Sequence, residues 1–271
     1  MNTPPETAAV RLSVILITKN EVHNIKACLN SVDFADEIIV VDSGSTDGTV
    51  ELARAAGAVV IETTDWPGFG PQKNRALEAA RGEWVLSIDA DERITPELAD
   101  EIRQAIEQRA SADACDISRR SWYCGRFIKH SGWTPDYVTR LFRRGKAKFT
   151  NDIVHEHLVV EGSTQRLKSV MLHYSFRDFS QVLQKIDNYS TLSARQAYAR
   201  GRRASVGQAV LHGMWAFMRT YFLRLGFLDG ANGLALAISN AEGSYYRYLK
   251  IWLLDQQDPL ASSSANTVDR R

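Results

Sequence analysis

The residues best placed by type and spacing to do chemistry are Asp89-Ala90-Asp91-Glu92, because they follow the apolar run Trp84-Val85-Leu86-Ser87-Ile88 and put two carboxylates at the mouth of a buried strand. Strand ends are where α/β sheets bind their ligands. Two acids one residue apart repel each other unless positive charge sits between them, and a divalent cation carrying a diphosphate supplies that charge. The plain alternative is a solvated acidic loop, since D-x-D occurs by chance in many chains. Two further strand ends have the same character: Thr18-Lys19-Asn20-Glu21 and Asp42-Ser43-Gly44-Ser45. In the second, small residues let a flat ligand approach the backbone, and Asp42 could accept hydrogen bonds from a base or ribose. Asp47 reads better as a helix N-cap than as a ligand contact. Lys73, at a helix start, offers the cation a diphosphate needs, although a lone helical lysine is usually solvated.

The elements that must position these groups follow from hydrophobic patterning. Four short apolar runs, at 12–17, 37–41, 58–61 and 83–88, lack polar alternation and read as strands buried on both faces. Helical patterns at 21–31, 49–56 and 71–80 lie between them, with Gly57 and Gly82 standing where a helix end wants positive φ. A further helix is predicted from Thr95, as N-cap, and Pro96 to about residue 108. The alternation predicts a mostly parallel sheet between helices, an α/β fold whose strand carboxyl ends converge on one crevice. No G-x-x-x-x-G-K-[ST] occurs and no G-x-G-x-x-G follows the first strand, which excludes a P-loop and weakens a dinucleotide fold. The run from Asp42 to Ala53 fails as a calcium loop, having Gly44 at the third position and Ala53 at the twelfth.

Beyond Cys115 the composition changes. Between Arg119 and Lys148 nine Lys or Arg stand against the single acid Asp136, with aromatic residues interleaved, a pattern suited to an anionic ligand or to an ordinary basic loop. From 179 to 254 the pattern is helical. Leu211, Trp215, Met218, Phe222 and Leu225 form a stripe with Arg202, Arg203, Arg219 and Arg224 nearby. Such a stripe more often packs on its own core; the alternative is a helix lying in a membrane interface. With 33 basic and 32 acidic residues there is no nucleic-acid signature. Three cysteines without C-x-x-C spacing argue against a disulfide framework and for a reducing compartment. The N-terminus lacks a signal-peptide pattern and no window is long and apolar enough to span a membrane, so a cytoplasmic location is expected.

Taken together, Leu12 to Glu21, the V-D-S-G-S-T-D-G-T run from Val41 to Thr49, Gln72-Lys73-Asn74 and Asp89-Ala90-Asp91 resemble glycosyltransferase family 2, the inverting enzymes with the nucleotide-sugar-binding GT-A fold. Arg140-Leu141-Phe142-Arg143-Arg144, Ile153-Val154-His155-Glu156, His173-Tyr174-Ser175-Phe176 and Gly226 to Gly230 are similar to the lipopolysaccharide core β-glucosyltransferases that act on inner-core heptose. The resemblance implies a GT-A domain at 11–178, with a nucleotide-sugar-binding half at 11–110 and an acceptor-binding half at 111–178. A flexible N-terminus at 1–10, a C-terminal helical extension at 179–254 and a disordered tail at 255–271 complete the expected organisation.

The implied reaction moves a hexose, glucose, from a UDP-sugar to a lipid-linked or lipopolysaccharide-core acceptor by single displacement at the anomeric carbon. The family pattern implies that Asp91 binds Mg2+ or Mn2+ bridging the diphosphate, with Asp89 contacting the metal or ribose. His173 is either a satisfied core residue or a third metal ligand. Thr18, Asn20, Glu21, Asp42, Ser45, Lys73 and Ala90 would hold the nucleotide-sugar, and Arg140, Arg143 and Arg144 the acceptor's phosphates. Glu156, flanked by His155 and His157, is expected to be the base, with Asp152 the alternative. His155-x-His157 beside a Glu also reads as zinc, without convincing partners. The enzyme is expected to sit peripherally on the cytoplasmic face of the inner membrane. Rival readings are a polyprenyl-phosphate sugar transferase, which needs no base, a nucleotidyltransferase, and a noncatalytic sugar- or lipid-binding adaptor.

Overall fold

The computed structural model describes residues 10–107, 112–151 and 157–257. They divide into two compact units, one formed by the chain up to Arg120 with Asp136–Tyr174, the other by Ser121–Pro135 and the chain from Ser175 onward.

The first unit opens with the expected alternation: β1 (Leu12–Thr18), α1 (Ile25–Asn30), β2 (Glu37–Asp42), α2 (Thr49–Ala55), β3 (Val59–Glu62), α3 (Phe69–Ala79) and β4 (Trp84–Ser87). Strands β3, β2, β1 and β4 lie side by side and all three pairings are parallel, so their carboxyl ends share one edge. In β1 and β4 nearly every residue is buried, which is why they read as unbroken apolar runs. Next come β5 (Glu92–Ile94), α4 (Pro96–Glu107), β6 (Ala114–Tyr123), β7 (Arg126–Phe127), β8 (Asp136–Arg143), β9 (Ala147–Phe149), β10 (Leu158–Val160) and β11 (Thr164–Phe176).

The remainder of the sheet departs from the expected parallel order. It continues β4, β8, β6, β11, β5, with β8 antiparallel to both β4 and β6 and β11 antiparallel to β5, so the whole is mixed. One core cluster joins Val14, Leu16, Leu86 and Ile88 to Leu98 and Ile102 of α4, and another joins Ile15, Val41 and Val85 to Ala76 of α3. Helix α4 starts as predicted, with Thr95 Oγ1 accepting from the Leu98 N–H at 3.2 Å.

The two glycines picked out for positive φ serve different ends. Gly57 has φ 84°. Gly82 is required by close approach, since a Cβ there would stand 2.6 Å from both Ser13 N and Oγ.

The second unit holds β7, which pairs with the end of β6, and the C-terminal helices α5 (Phe179–Ala199), α6 (Val206–Met218) and α7 (Gly230–Gln257). Between α6 and α7 run a π turn at Arg219–Leu223 and a 3-10 turn at Gly226–Asp229. Asp229 is buried there and ties down the segment 129–131, accepting from the backbone N–H groups of Lys129 and His130 at 3.0 Å each and from Ser131 Oγ at 2.9 Å. The expected apolar stripe does not form a core: Leu211, Trp215, Met218, Phe222 and Leu225 are all exposed, and the last two lie beyond the end of α6.

Candidate active site

The sequence places acids and small polar residues after β1, β2 and β4, and the parallel register brings those ends together. Thr18 and Asp42 are direct register partners at the ends of β1 and β2. Asp42 is 1% exposed and its two carboxylate oxygens take four donors: Thr18 Oγ1 at 2.9 Å, Gly44 N at 3.0 Å, Ser45 N at 2.7 Å and Ser45 Oγ at 2.5 Å. Four donors fill a carboxylate's acceptor sites. In the folded chain these bonds make Asp42 the group that shapes the loop.

The same loop binds the Thr18–Glu21 segment. Asn20, at φ 56°, donates its N–H to Ser45 Oγ at 2.8 Å and accepts from the Thr46 N–H at 2.9 Å, and the Glu21 N–H reaches Thr49 Oγ1 at 2.8 Å. Asp47 accepts from the N–H groups of Val22 and Thr49. It has the structural role anticipated for it, although Gly48 holds the N-cap position itself. What remains open at this edge is the exposed rim of Asn20, Gly44 and Thr46.

After β4 the two acids part company. Asp89 Oδ1 lies 3.2 Å from Lys73 Nζ and Oδ2 lies 2.5 Å from Arg140 Nη2. The same Arg140 nitrogen lies 2.6 Å from Glu92 Oε1, and the Asp89 N–H donates to Glu92 Oε2 at 2.9 Å. Burial alone would raise the Asp89 carboxyl, but the Arg140 and Lys73 cations outweigh it and hold the group far below the usual carboxylate range. Burial raises the fully buried Glu92 carboxyl, and the charge on Asp89 adds to that, against the lowering by Arg140. Burial would lower the Arg140 guanidinium, and the two carboxylates more than reverse it. Both oxygens of Asp89 are thus engaged by the chain's own cations.

Asp91 has a different neighbour. His173 Nε2 stands 3.3 Å from its Oδ2, because β11 pairs with β5 so that His173 faces Glu92 in register, and the Tyr174 N–H donates to the Asp91 carbonyl. Among the described residues no three His, Cys, Asp or Glu side chains are grouped to hold a metal. Two donors nevertheless fit Mg2+ or Mn2+, ions that commonly complete their shell with substrate phosphates and water. Asp91 and His173 are the residues that would hold such an ion. The buried Ala90 lies between the acids.

Beside Asp89 is a cavity of about 360 Å3 lined by Lys73, Arg119, Arg140, Phe149 and His157. Lys73 is itself packed, lying 5.6 Å from the Phe149 ring centre. Asn74 fixes Phe149 by a reciprocal pair of bonds, Nδ2 to its carbonyl at 2.9 Å and Oδ1 from its N–H at 3.0 Å. Asp89 lines it as well, and its basic side chains are held in ion pairs, Lys73 and Arg140 with Asp89 and Arg119 with Asp136 at 2.7 Å. Glu156 and Asp152, expected as base and alternative, lie outside the described residues, as does His155.

The three arginines expected to hold the acceptor are not brought together. Arg140 is buried against Asp89 and Glu92. Arg143 pairs in register with Trp84 at the start of β4, lies 2.6 Å from Glu83 and stacks over the Trp84 ring. Arg144 donates its Nε to the Gly82 carbonyl at 3.0 Å. Because β8 runs antiparallel to β4, Arg143 and Arg144 fall at the sheet edge opposite the acids. Sequence reading missed the bridging part of Arg140 and the buried Glu92. The available signal was a charged residue directly before the buried pair Leu141-Phe142, which calls for a buried counter-charge.

Residues 13–169 match the sequence profile described as Glycosyl transferase family 2. An uncharacterized glycosyltransferase of Rickettsia prowazekii is 31% identical, with 96% of this chain and 92% of that protein covered. The lipopolysaccharide core biosynthesis glycosyltransferase LpsC of Rhizobium meliloti is 30% identical over 88% of this chain and 93% of its own length. Among solved structures, S. aureus TarS 1-349 in complex with UDP-GlcNAc superposes with a TM-score of 0.48 at 18% identity, covering 96% and 93% of the two chains. A profile spanning more than half the sequence, with relatives matched along almost their full length, makes the assignment: the chain belongs to glycosyl transferase family 2 and is a glycosyltransferase.

Proposed function

We propose that this glycosyltransferase inverts configuration and moves glucose from a UDP-sugar to a heptose of the lipopolysaccharide inner core. It would work as a peripheral protein on the cytoplasmic face of the inner membrane. The observation that carries the reading is the pairing of Asp91 with His173 at 3.3 Å, at the edge where β1, β2 and β4 end, with Asp89, two residues earlier in the chain, lining the cavity together with Lys73 and Arg119. The acceptor class is supported by the printed name of the Rhizobium relative, a lipopolysaccharide core glycosyltransferase.

In the proposed displacement the acceptor oxygen forms a bond to the anomeric carbon as the bond from that carbon to the diphosphate breaks. The electron pair leaves with UDP, and the hydroxyl proton passes to a carboxylate base, for which Glu156 remains the candidate. Asn20, Ser45 and the backbone rim around Gly44 would receive the nucleotide. Lys73 and Arg119, lining the cavity, would offset charge on the diphosphate. A divalent ion held by Asp91 and His173 would supply further electrostatic stabilisation of the leaving group.

Calorimetric titration of UDP with and without Mn2+, repeated on Asp91→Asn, tests this. The expected result is metal-dependent binding that the variant loses. Metal-independent binding unchanged in Asp91→Asn would refute the assigned metal position, and binding only of another nucleotide diphosphate would refute the donor.

A further inference from the structure

The large apolar side chains of α6 and the π turn after it point away from the bundle. Leu211 is 66% exposed, Met214 61%, Trp215 57% and Leu223 65%, and Met218 and Phe222 are also exposed. The face turned to α7 is built instead from small residues: Ala209, Gly213 and Ala216 are buried, and a Cβ on Gly213 would stand 3.2 Å from the Tyr245 side chain. The helix is therefore apolar on both sides, small inward and large outward. A helix apolar all round calls for apolar surroundings on both sides. Scattered exposed apolar residues need no explanation, but a contiguous set marks an interaction surface.

Charge identifies the partner. From residue 188 to residue 228 there are six arginines, Arg195, Arg200, Arg202, Arg203, Arg219 and Arg224, and no Asp or Glu. Arg203 is paired with Asp255 at 2.6 Å, while Arg219 and Arg224 are exposed within the apolar stretch itself. A second copy of the chain docking through the same surface would set these arginines against each other with no local acid between them. An anionic phospholipid surface offers both the acyl boundary and the phosphates. No helix among the described residues is long and apolar enough to cross a bilayer, which leaves the in-plane mode.

We propose that α6 and the π turn dock the second unit on an anionic phospholipid surface. Leu211, Met214, Trp215, Met218, Phe222 and Leu223 enter the acyl boundary, and Arg219 and Arg224 meet the headgroup phosphates. This goes beyond the transfer reaction and names the surface that holds the enzyme to its membrane. It does not depend on which sugar is moved.

The test is sedimentation of the full chain with vesicles of phosphatidylcholine alone and of phosphatidylcholine mixed with phosphatidylglycerol. Binding is expected on the mixed vesicles and should weaken with salt. Leu211→Ser combined with Met214→Ser should lower the partition coefficient roughly tenfold or more, with an unchanged melting curve, because both side chains are already in water. Should that pair fail to fold, Arg219→Glu decides: it should cost about fivefold or more on mixed vesicles and little on neutral ones. No binding by wild type, equal binding by the variants, or a concentration-dependent dimer dissolved by the Leu211/Met214 pair would each overturn the proposal. UDP binding measured on the same samples keeps the two readings separate: vesicle binding can fail while donor binding stands.

Discussion

Replacing Arg140 by Met keeps most of the side-chain volume and removes the one guanidinium shared by Asp89 and Glu92. Glu92 is fully buried and Arg140 is 7% exposed, so the variant strands a carboxylate in the interior with another beside it. Removing one partner of a buried ion pair costs about 3–5 kcal/mol, and at about 2–4 °C per kcal/mol for a domain of this size the melting temperature should fall by about 6–20 °C. The acid dependence follows from the same contacts. In the variant the Glu92 carboxyl, already raised by burial, loses the opposing pull of Arg140, so in that window the native state holds more protons than the unfolded state and stability falls as pH rises through it. The deficit is therefore greatest at neutral pH and shrinks toward about pH 4. In wild type the Asp89 carboxyl is depressed, so its contribution is complete above the ordinary carboxylate range and is lost only as pH falls below it. Adding Glu92→Gln to Arg140→Met removes the stranded charge, while Lys73 still serves Asp89, so the double variant should regain at least half of the loss. Thermal denaturation of the three proteins between acid and neutral pH reads all of this. A single variant within about 1 kcal/mol of wild type, or a double variant no more stable than the single, would refute the shared-cation account.

Two other outcomes are expected. Asp229→Asn should destabilise by about 1–3 kcal/mol, since an amide cannot accept from the Lys129 N–H, the His130 N–H and Ser131 Oγ as a carboxylate does. Burial would raise this carboxyl and those hydrogen bonds outweigh it, leaving its pKa lowered, so its contribution is present above the ordinary carboxylate value and lost as pH falls below it; the variant's melting temperature should lack that part of the acid limb. Glu156→Gln should abolish sugar transfer while leaving the calorimetric affinity for UDP near wild type, and loss of UDP binding would remove Glu156 from the role of base.

The parallel half of the sheet was legible because strands buried on both faces must be apolar throughout, and their carboxyl ends must share an edge. That was enough to bring Thr18, Asp42 and Asp89 together. What could not be read was how each acid is satisfied. The four donors on Asp42 come from a strand neighbour and from its own turn, and the cations on Asp89 come from residues 73 and 140. Spacing carries no record of such distant pairings. The C-terminal stripe failed for another reason. Leu211, Trp215 and Met218 repeat at helical spacing, but so do Ala209, Gly213 and Ala216, and periodicity does not say which face turns inward. Close helix packing on α7 selects the small one: the 3.2 Å approach of Tyr245 to a Cβ at Gly213 leaves no room for leucine or tryptophan.

Asp89 and Asp91 look equivalent in sequence, two acids whose repulsion a metal diphosphate could relieve. Folding makes them different. Lys73 and Arg140 neutralise Asp89 without any bound ion, so the strand end is stable before substrate arrives, and the repulsion that pointed to a metal is removed by the chain itself. Asp91 is left with a histidine, a side chain that can act as a neutral donor to a divalent ion, whereas lysine and arginine only repel one. Under the proposed function, a cation arriving with a diphosphate would therefore be steered to Asp91. The division predicts its own signature: exchanging the environments, by neutralising Lys73 and Arg140, would free Asp89 to compete for the ion and blur the metal position proposed for Asp91 and His173.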